Sequence, residues 1–374
     1  MSADYLIVGA GFAGCILAER LASELGKKVI IVDKRDHVGG NCYDYPSEEG
    51  ILIHKYGPHV FHTNSEKTRL YLSRFTDWTA YEHRVLAEID GMRVPVPFNF
   101  NSLEALFPEA RAKELERELL GLYGEGLKVP ILKLRASDSG AVRELAEYVY
   151  EKVFLGYTLK QWGMSPEELD SSVTSRVPVL IGRDDRYFQD SFQAMPSEGY
   201  AKLFERLINH PNIELRLSTD FFRDPMPSAD KLIFTGALDE YFGYKRGALP
   251  YRSLNFVINK FETERYQEVA QLNYPNAHAY TRTTEFKHFL NQKCASTQVT
   301  FEYPTGHVRG ETEPYYPIPF EESARLAELY RKDAELLSPG VRFIGRLAEY
   351  RYYNMDQIIG VALLTFEKIA RNKE

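Results

Sequence analysis

Two apolar runs, separated by a glycine-rich break and a helix-like stretch, open the chain. Residues 5–8 are apolar and lead into the motif GAGFAG at residues 9–14, and residues 15–25 repeat apolar positions at helical spacing. A second apolar run at residues 29–32 ends at Asp33. An acidic residue about twenty positions after GxGxxG is placed to accept hydrogen bonds from a ribose 2′-hydroxyl. The pattern predicts a strand, a helix and a strand that bind a dinucleotide.

Each glycine of this motif has a separate physical role. Gly9 allows the tight turn, Gly11 lets the backbone approach a pyrophosphate, and Gly14 lets helix and strand pack closely. The helix N-terminus adds amide hydrogens and a positive dipole end. After Asp33 the chain runs into a second glycine pair at residues 39–40, and this arrangement resembles the motif of FAD enzymes of the glutathione reductase and amine oxidase type. Such a pair suits close approach to a cofactor, and a charged surface turn is the alternative.

The middle of the chain has patterns of a different kind. Residues 84–98 alternate around an Asp-Gly pair, which is a strong β-hairpin signal. Apolar residues at helical spacing recur at residues 103–123 and 139–155, among many charged residues. Residues 251–303 are aromatic and alternating. We therefore expect a helical subdomain and an antiparallel sheet.

Two later apolar runs, at residues 231–236 and 341–346, are expected to rejoin the first sheet, before a final helix at residues 355–371. The predicted fold class is α/β (mixed α+β), with a discontinuous Rossmann-like FAD-binding domain, an inserted helical subdomain and an antiparallel β-sheet domain. The expected bounds are residues 1–78, 190–245 and 336–374 for the FAD-binding domain, 100–175 for the helical subdomain, and 79–99, 176–189 and 246–335 for the sheet that binds substrate.

Charge and cysteine content argue against several classes of protein. The chain of 374 residues has 46 basic and 53 acidic residues and a net charge of −7, so nucleic acid is not an expected partner. No apolar run reaches the roughly eighteen residues of a membrane span, and no signal peptide is recognisable. Cys15, Cys42 and Cys294 are widely spaced, which fits neither a disulfide framework nor a zinc site. A cytoplasmic location is predicted.

Several short motifs carry a specific resemblance. GYTLKQWG at residues 156–163, RVPV at 176–179 and RYF at 186–188 are similar to motifs of the UDP-galactopyranose mutase family. HKYGPHVFHTN, FGYKRGALPYRSL, AYTR, EPYYPI and GRLAEYRYYNM are also similar, in the same order along the chain. The resemblance therefore covers nearly the whole chain.

The resemblance implies a flavoenzyme that interconverts UDP-galactopyranose and UDP-galactofuranose with no net redox change. In the family mechanism, N5 of the reduced flavin attacks the anomeric carbon and displaces UDP. The flavin-sugar adduct then opens as an iminium and recloses through the other ring oxygen. The implied cofactor is FAD, kept reduced by an external reductant such as NADPH. A homodimer and a product that feeds cell-wall or other surface glycans are also implied.

Two arginines are the predicted catalytic cations. Arg176 lies in a segment that can close over a diphosphate, and Arg282 in the AYTR motif would supply a second cation. Two guanidiniums neutralise a pyrophosphate leaving group and orient it by forked hydrogen bonds. The other substrate-binding residues implied by the resemblance are aromatic side chains along the nucleotide, the diphosphate and the sugar, and one amide: Tyr157, Trp162, Tyr187, Tyr315, Tyr352 and Asn273.

His59 and His62 match family histidines near the isoalloxazine and are the remaining catalytic candidates. As metal ligands they lack a nearby cysteine or carboxylate in the sequence, so no metal is predicted. The predicted cofactor contacts, taken from the glycine motif and from the resemblance, are Gly9, Gly11, Gly14, Asp33, Lys34, Gly40, Asn41, His59, Arg346, Tyr352, Asn354 and Met355.

Two positions near the C-terminus depart from the family. Asn354 replaces the aspartate that most bacterial members carry, and Asp356 stands where a histidine is common. Either could tune the flavin electrostatics or the sugar accepted. UDP-N-acetylgalactosamine and dTDP-fucopyranose therefore stay open as alternative substrates. An FAD-dependent amine oxidase-like oxidoreductase and a non-catalytic flavin or nucleotide-sugar binding protein are the alternatives of other classes.

Overall fold

The computed structural model of the chain describes residues 2–169 and 178–371. The chain divides into two compact units. Unit 1 comprises Met1–Tyr81, Asp190–Tyr251 and Glu322–Glu374, and unit 2 comprises Glu82–Gln189 and Arg252–Glu321. The domain bounds expected from the sequence stay a prediction.

The strands of the described residues, in chain order, are β1 Ala3–Val8, β2 Val29–Val32, β3 Asp44–Pro46, β4 Leu52–His54, β5 Phe61–Thr63, β6 Trp78–Ala80, β7 Val85–Ile89, β8 Met92–Val96, β9 Lys128–Val129, β10 Val179–Leu180, β11 Phe192–Pro196, β12 Ile213–Arg216, β13 Ala229–Phe234, β14 Tyr251–Phe261, β15 Gln271–Asn273, β16 Arg282–Glu285, β17 Thr297–Gly306, β18 Tyr316–Pro317 and β19 Val341–Phe343. The α-helices of the same residues are α1 Phe12–Leu25, α2 Glu66–Leu72, α3 Phe100–Leu106, α4 Glu109–Tyr123, α5 Ile131–Arg135, α6 Gly140–Val149, α7 Gly156–Trp162, α8 Tyr200–Leu207, α9 Leu238–Tyr241, α10 Glu321–Leu337 and α11 Met355–Arg371.

Unit 1 contains a parallel sheet with the strand order β12-β2-β1-β13-β19. Both later apolar runs rejoin this sheet as predicted, because Val8 lies opposite Phe234 and Phe234 lies opposite Phe343. β2 is wholly buried, as expected for a parallel sheet that is covered on both faces. α1 packs against α11 and ends at Gly26, whose φ of 63° allows the left-handed cap. The expected strand-helix-strand unit is therefore present.

A second sheet of unit 1 is antiparallel and has the order β5-β11-β6. Gln193 lies opposite His62 in its register. Aromatic rings hold the strands together: the ring centroids of Phe61 and Trp78 are 5.0 Å apart, and those of Trp78 and Phe192 are 5.4 Å apart. This sheet fixes β11, and the residues just before it, against the strand that contains His62.

Unit 2 contains a seven-stranded sheet with the order β18-β14-β17-β16-β15-β7-β8. β7 and β8 form the predicted hairpin, and its turn residues Asp90 and Gly91 have φ of 49° and 81°, as a type I′ turn requires. The sheet is not wholly antiparallel as expected, because β15 pairs with β7 in parallel. The reason is that β7 and β15 are distant in sequence and no hairpin turn fixes their direction.

The helices α3 to α6 pack with the hairpin around one core of unit 2, which includes Val85, Val94, Leu115 and Val149. The predicted helix at residues 103–123 is interrupted, since α3 ends at Leu106 and α4 begins at Glu109. Pro108 explains the break, because it disfavours helical backbone at the residue before it. A π-helical turn, Tyr150–Leu155, joins α6 to α7. In the described part of the chain, no helix is both long and apolar enough to cross a membrane.

Candidate cofactor and substrate sites

Two glycines of the GAGFAG motif are required by the packing of the protein itself. A Cβ added at Gly9, whose φ is +106°, would stand 2.0 Å from the Thr235 hydroxyl oxygen. A Cβ at Gly14 would stand 2.0 Å from the Gly9 carbonyl oxygen and 3.1 Å from Ile7 on β1. These distances are far inside van der Waals contact, so both positions need glycine for the fold.

Gly11 has a different environment. Among the described residues, a Cβ there would meet only the Gly40 Cα, at 3.8 Å, which is an ordinary contact. Gly40, with φ of +56°, faces it closely, since a Cβ at Gly40 would lie 3.1 Å from the Gly11 Cα. The fold thus brings the first glycine motif and the second glycine pair together. Because neither Gly11 nor Gly40 has a side chain, the backbone here fits the close approach of a pyrophosphate to the N-terminus of α1.

Asp33 is engaged by the backbone of its own loops. Its Oδ2 accepts a hydrogen bond of 2.7 Å from the Ala10 amide, and its Oδ1 accepts one of 2.9 Å from the Arg35 amide. The carboxylate therefore ties the glycine loop to the end of β2. Each oxygen has a further acceptor direction, so contact with a ribose stays a prediction. Lys34 lies on the same loop, and Asn41 Oδ1 accepts a 3.0 Å hydrogen bond from Arg35.

The C-terminal cofactor candidates meet at the start of α11. Arg346 donates a 2.7 Å hydrogen bond to the Tyr353 carbonyl, and its guanidinium lies 4.9 Å from the Tyr352 ring centroid. Asn354 precedes Met355, the first residue of α11, and its amide donates to Gln357 Oε1 at 2.9 Å. Four predicted contacts are therefore grouped by this one helix start.

Gly345 places this group beside the glycine motif. Its φ is +115°, and a Cβ there would lie 3.8 Å from the Ala13 Cβ in the first turn of α1. Glycine loops, an acidic residue and a basic residue thus converge within unit 1. This arrangement fits a dinucleotide cofactor, which needs bare backbone for its phosphates and polar groups for its ribose and ring system.

The two predicted histidines have different partners. His59 Nδ1 lies 2.8 Å from the Gly57 carbonyl oxygen, whereas His62 Nδ1 lies 2.9 Å from Asp190 Oδ2. The sequence offered no nearby carboxylate for His62, and the fold supplies one from a segment 128 positions away. In the part of the chain that the structure describes, no group of three or more His, Cys, Asp or Glu side chains could hold a metal ion.

Sequence reasoning missed a third histidine, His54. It is buried, and its Nδ1 accepts a 3.0 Å hydrogen bond from the His59 amide. Burial, with a smaller effect from His59, lowers the pKa of His54 to about 3. His54 is therefore a neutral support for the loop that carries His59. The sequence signal that could have indicated it is the strand pattern of β4, in which Leu52 and His54 share one face and Ile53 takes the other.

Asn273, Arg282 and Glu302 form one row across three neighbouring strands of unit 2. Asn273 on β15 lies opposite Arg282 on β16, which lies opposite Glu302 on β17. Arg282 Nε donates a 2.8 Å hydrogen bond to Glu302 Oε2, and Arg282 Nη2 lies 2.7 Å from Glu302 Oε1. Glu302 is 2% exposed and was not predicted. The alternation of side chains along β17 could have placed Glu302 on the face of the sheet that Arg282 occupies.

The electrostatics of this row make Arg282 a permanent cation. Burial alone would lower the pKa of Arg282, but Glu302, Tyr157 and Tyr316 outweigh it and raise that pKa well above its usual range. Burial raises the pKa of the Tyr157 hydroxyl, while Arg282 lowers it to a smaller extent. Tyr157 therefore keeps its proton and can donate a hydrogen bond to an anion.

Aromatic side chains extend the same cluster. Tyr187 is near enough to Tyr157 to contribute to its raised pKa. The ring centroids of Trp162 and Tyr316 are 6.1 Å apart. Tyr315 contacts Phe256 at 5.9 Å between ring centroids, and Phe256 on β14 lies opposite Glu302 on β17. Unit 2 thus gathers these predicted substrate residues: Tyr157, Trp162, Tyr187, Asn273, Arg282 and Tyr315. Arg176 lies outside the described residues, and Tyr352 lies in unit 1.

The GYTLKQWG motif is held by contacts at both ends of α7. Arg252 donates hydrogen bonds of 2.8 and 3.0 Å to the carbonyls of Gln161 and Lys160, where the helix dipole is negative. Lys160 Nζ donates to the Tyr274 carbonyl at 2.7 Å. At the other end, a Cβ at Gly156 would lie 2.5 Å from the Pro275 carbonyl oxygen. These contacts at its two ends fix the position of α7, which carries Tyr157 and Trp162.

Gly156→Ala is expected to displace α7 and to lower stability by about 1–3 kcal/mol, because the added methyl overpacks against backbone. If the motif lies along a uridine nucleotide, as the resemblance implies, affinity for uridine diphosphate should fall with it. The matched control is Gly121→Ala in α4, where none of the residues that the structure describes lies within 4 Å and alanine should stabilise the helix slightly. Urea unfolding and calorimetric binding would measure both effects. Equal stability of the two variants would contradict this packing role.

Comparison with known proteins identifies the family. The sequence pattern described as UDP-galactopyranose mutase matches residues 152–352, and that of the NAD(P)-binding Rossmann-like domain matches residues 7–75. A probable UDP-galactopyranose mutase of Klebsiella pneumoniae is 36% identical over 369 residues, which are 98% of this chain and 94% of the relative. The dTDP-fucopyranose mutase of Escherichia coli is 34% identical over 377 residues, 99% of each chain.

A solved structure of reduced UDP-galactopyranose mutase has the same fold. Its TM-score is 0.75 at 18% identity, and the alignment covers 99% of this chain and 94% of that chain. The predicted mixed α/β class with a Rossmann-like domain and the resemblance found in the motifs are both confirmed. With a family match over more than half of its length and a 36% identical relative over nearly all of it, the chain belongs to the UDP-galactopyranose mutase family of isomerases.

Proposed function

We propose that the chain binds FAD and interconverts UDP-galactopyranose and UDP-galactofuranose with no net redox change. The observation that carries the proposal is the row of Asn273, Arg282 and Glu302 beside Tyr157. A guanidinium of fixed charge, next to protonated tyrosine hydroxyls and aromatic rings, has the chemistry that a nucleoside diphosphate requires. An uncharged amine or hydrocarbon substrate would have no use for it.

Each residue of the row has a distinct task in this proposal. Glu302 faces the Nε and Nη2 edge of Arg282, which leaves the Nη1 hydrogens for a diphosphate oxygen. The cation would stabilise the negative charge that develops as the diphosphate leaves. Arg176 would supply the second cation, as the resemblance implies. Tyr157, Tyr187 and Tyr315 would donate hydrogen bonds, and Trp162 would lie along the uridine.

FAD is the cofactor that we propose for the glycine loops of unit 1. When reduced, it supplies a nucleophilic nitrogen for the anomeric carbon. An external reductant such as NADPH would maintain the reduced state. Gly11 and Gly40 would admit the pyrophosphate, and Asp33 and Arg346 would contact the ribose and the ring system. A homodimer in the cytoplasm that supplies a surface glycan pathway completes the proposal.

The sugar itself is the open part of this proposal. The similarity to the dTDP-fucopyranose mutase of Escherichia coli, at 34% identity, is nearly as high as that to the Klebsiella relative at 36%. We therefore keep dTDP-fucopyranose as the second candidate substrate, and UDP-N-acetylgalactosamine as the third. UDP-galactose is preferred because the matching family pattern bears its name.

The proposal is tested with purified protein and the furanose form of each nucleotide sugar, with and without dithionite, followed by chromatographic separation of the products. UDP-galactopyranose formed only after reduction supports both the isomerase and the reduced flavin. Faster conversion of the dTDP-fucose or acetamido sugar would reassign the substrate. Absence of any conversion by flavin-loaded, reducible protein would refute the catalytic proposal.

A further inference from the structure

We propose that Glu349 is a positioning residue of the cofactor site, because its side chain closes the turn that carries Arg346. The turn comprises residues 345–353 and is called the Gly345 turn. This inference rests on the FAD site proposed above. It concerns a carboxylate to which neither the sequence motifs nor the comparisons assign a role. Every contact that supports it lies within unit 1.

The Gly345 turn lies at the edge of the parallel sheet where this kind of fold binds its ligands. β1, β13 and β19 run in the same direction, so the loops that follow them meet at one edge. The loop after β1 contains GAGFAG, and the loop after β19 begins the turn. A Cβ at Gly345 would lie 3.7 Å from the Thr235 Cβ and 3.8 Å from the Ala13 Cβ. Ligands of open α/β sheets bind outside the carboxyl ends of the strands, so the turn borders the position proposed for the cofactor.

Arg346 is the charge that this turn presents. Its Nη2 donates a 2.7 Å hydrogen bond to the Tyr353 carbonyl. Burial raises the pKa of the Cys42 thiol to about 12, and the positive charge of Arg346 acts in the opposite direction. Cys42 lies two residues after Gly40, so Arg346 is near the second glycine pair. A cation at this place would stabilise negative charge on a bound flavin.

Glu349 joins the two ends of the turn. Its Oε2 accepts a 2.9 Å hydrogen bond from the Gly345 amide, and its own amide donates one of 2.9 Å to the Gly345 carbonyl. Its Oε1 accepts a 2.9 Å hydrogen bond from the Tyr353 hydroxyl. Burial, followed by the charge of Glu349, raises the pKa of Tyr353 to about 12, so the hydroxyl keeps the proton that it donates. The first and the last residue of the turn are therefore held by one carboxylate.

The backbone of the turn is strained and needs this support. Gly345 has φ of +115°, and Tyr350 has φ of +46°, which is uncommon for a residue with a side chain. Such backbone persists only where the surrounding structure over-determines it. The Tyr350 hydroxyl donates a 2.7 Å hydrogen bond to the Pro250 carbonyl, and Arg331 donates one of 2.9 Å to the Glu349 carbonyl. Loss of the Glu349 side chain removes the tie between the two ends and releases Arg346.

Glu349 affects a bound flavin in two ways that have opposite signs. The reduced flavin carries more negative charge than the oxidised form, so the charge of Glu349 alone disfavours reduction. The hydrogen bonds of Glu349 keep Arg346 in place, and this cation favours reduction. Alanine and glutamine at position 349 both remove the charge, but only glutamine can keep the hydrogen bonds. A comparison of the two variants therefore isolates the positioning effect.

The first measurement is the dissociation constant of FAD, obtained by dilution of the flavin-loaded protein with released FAD followed by its fluorescence. Glu349→Ala should bind FAD about 10-fold more weakly, because two hydrogen bonds of the turn are lost. Glu349→Gln should stay within about 3-fold of the wild type, since its oxygen can accept from Gly345 and its Nε2 can donate to Tyr353. The matched control is Glu335→Ala, because Glu335 is an exposed carboxylate of α10. Wild-type affinity in Glu349→Ala would reject the proposal.

The second measurement is the midpoint potential of the flavin in each FAD-loaded variant. We expect a lower potential in Glu349→Ala than in Glu349→Gln, because Arg346 moves away only in the alanine variant. A merely structural contribution of Glu349 to folding would leave the two potentials equal. Equal potentials, or a higher potential in Glu349→Ala, would overturn the positioning role.

Tyr353→Phe decides the case if Glu349→Ala does not fold. This change removes only the hydroxyl that donates to Glu349 and keeps the Tyr353 carbonyl that binds Arg346, so FAD should bind about 3-fold more weakly. Unchanged FAD affinity would then reject the proposal. A wild type that binds FAD but isomerises no nucleotide sugar would refute the proposed reaction and leave these measurements decisive for Glu349. A wild type that binds no FAD would refute both.

Discussion

Arg282→Ala is expected to lower kcat by about 10²- to 10³-fold while FAD stays bound, because a single stabilising donor of a leaving group is worth that much. The same change should reduce stability by about 3–5 kcal/mol, since it strands Glu302, which is only 2% exposed, without its partner. Steady-state kinetics, flavin content and thermal unfolding would measure the three quantities together.

A double variant separates these two effects. Arg282→Met combined with Glu302→Gln removes both charges, so it should recover most of the lost stability and none of the lost turnover. The matched control is Arg93→Met, because Arg93 lies on the same sheet and pairs with the exposed Glu268. We expect Arg93→Met to keep both activity and stability. Wild-type kcat in any variant that lacks Arg282 would refute the role of this cation.

The second large effect is expected from Gly11→Val, which should produce a folded protein that purifies with less FAD. The protein leaves room at this Cβ, whose nearest neighbour is the Gly40 Cα at 3.8 Å. The side chain would therefore enter the space proposed for the pyrophosphate and weaken FAD binding about 10- to 100-fold, from about 1–3 kcal/mol of overpacking. The ratio of flavin to protein absorbance, with circular dichroism, would measure the result.

Valine substitutions at two further glycines are the controls for this experiment. Gly360→Val, on α11, should keep its flavin and its fold, because a Cβ there has no neighbour within 4 Å in residues 2–169 and 178–371. Gly14→Val should fail to fold at all, because its Cβ would stand 2.0 Å from a backbone carbonyl. A Gly11 variant that purifies with full flavin content would overturn the placement of the cofactor, and one that does not fold would show that Gly11 is structural.

The glycine loops of unit 1 and their neighbourhood to Asp33 could largely be predicted from the sequence, because their parts are close together along the chain. GAGFAG, Asp33 and the second glycine pair span about thirty residues, and their spacing has a direct geometric meaning. What the spacing left out is the state of Asp33, whose two oxygens bind the Ala10 and Arg35 amides. Such hydrogen bonds depend on loop conformation, which periodicity does not encode.

The proposed substrate residues of unit 2 could be predicted only from the resemblance to a known family. No local pattern sets Arg282 or Tyr157 apart from ordinary surface or core residues. Glu302, the partner that fixes the charge of Arg282, was missed because the pair is set by the register of β16 on β17. A one-residue slip of that register would turn Glu302 to the opposite face of the sheet. Sequence alternation predicts the strands but not which strands are neighbours.

The strand-helix-strand unit, the β7-β8 hairpin, the strands that return to the parallel sheet and the family could all be predicted from the amino-acid sequence. All of these depend on residues near one another in the chain or on motifs that can be read in order. Three other features became known only from the folded chain: β15 runs parallel to β7, Arg282 pairs with Glu302, and Asp190 meets His62 across 128 positions. Local periodicity specifies which face of a strand or helix a side chain takes, whereas pairing between distant segments is set by the packing of the whole fold.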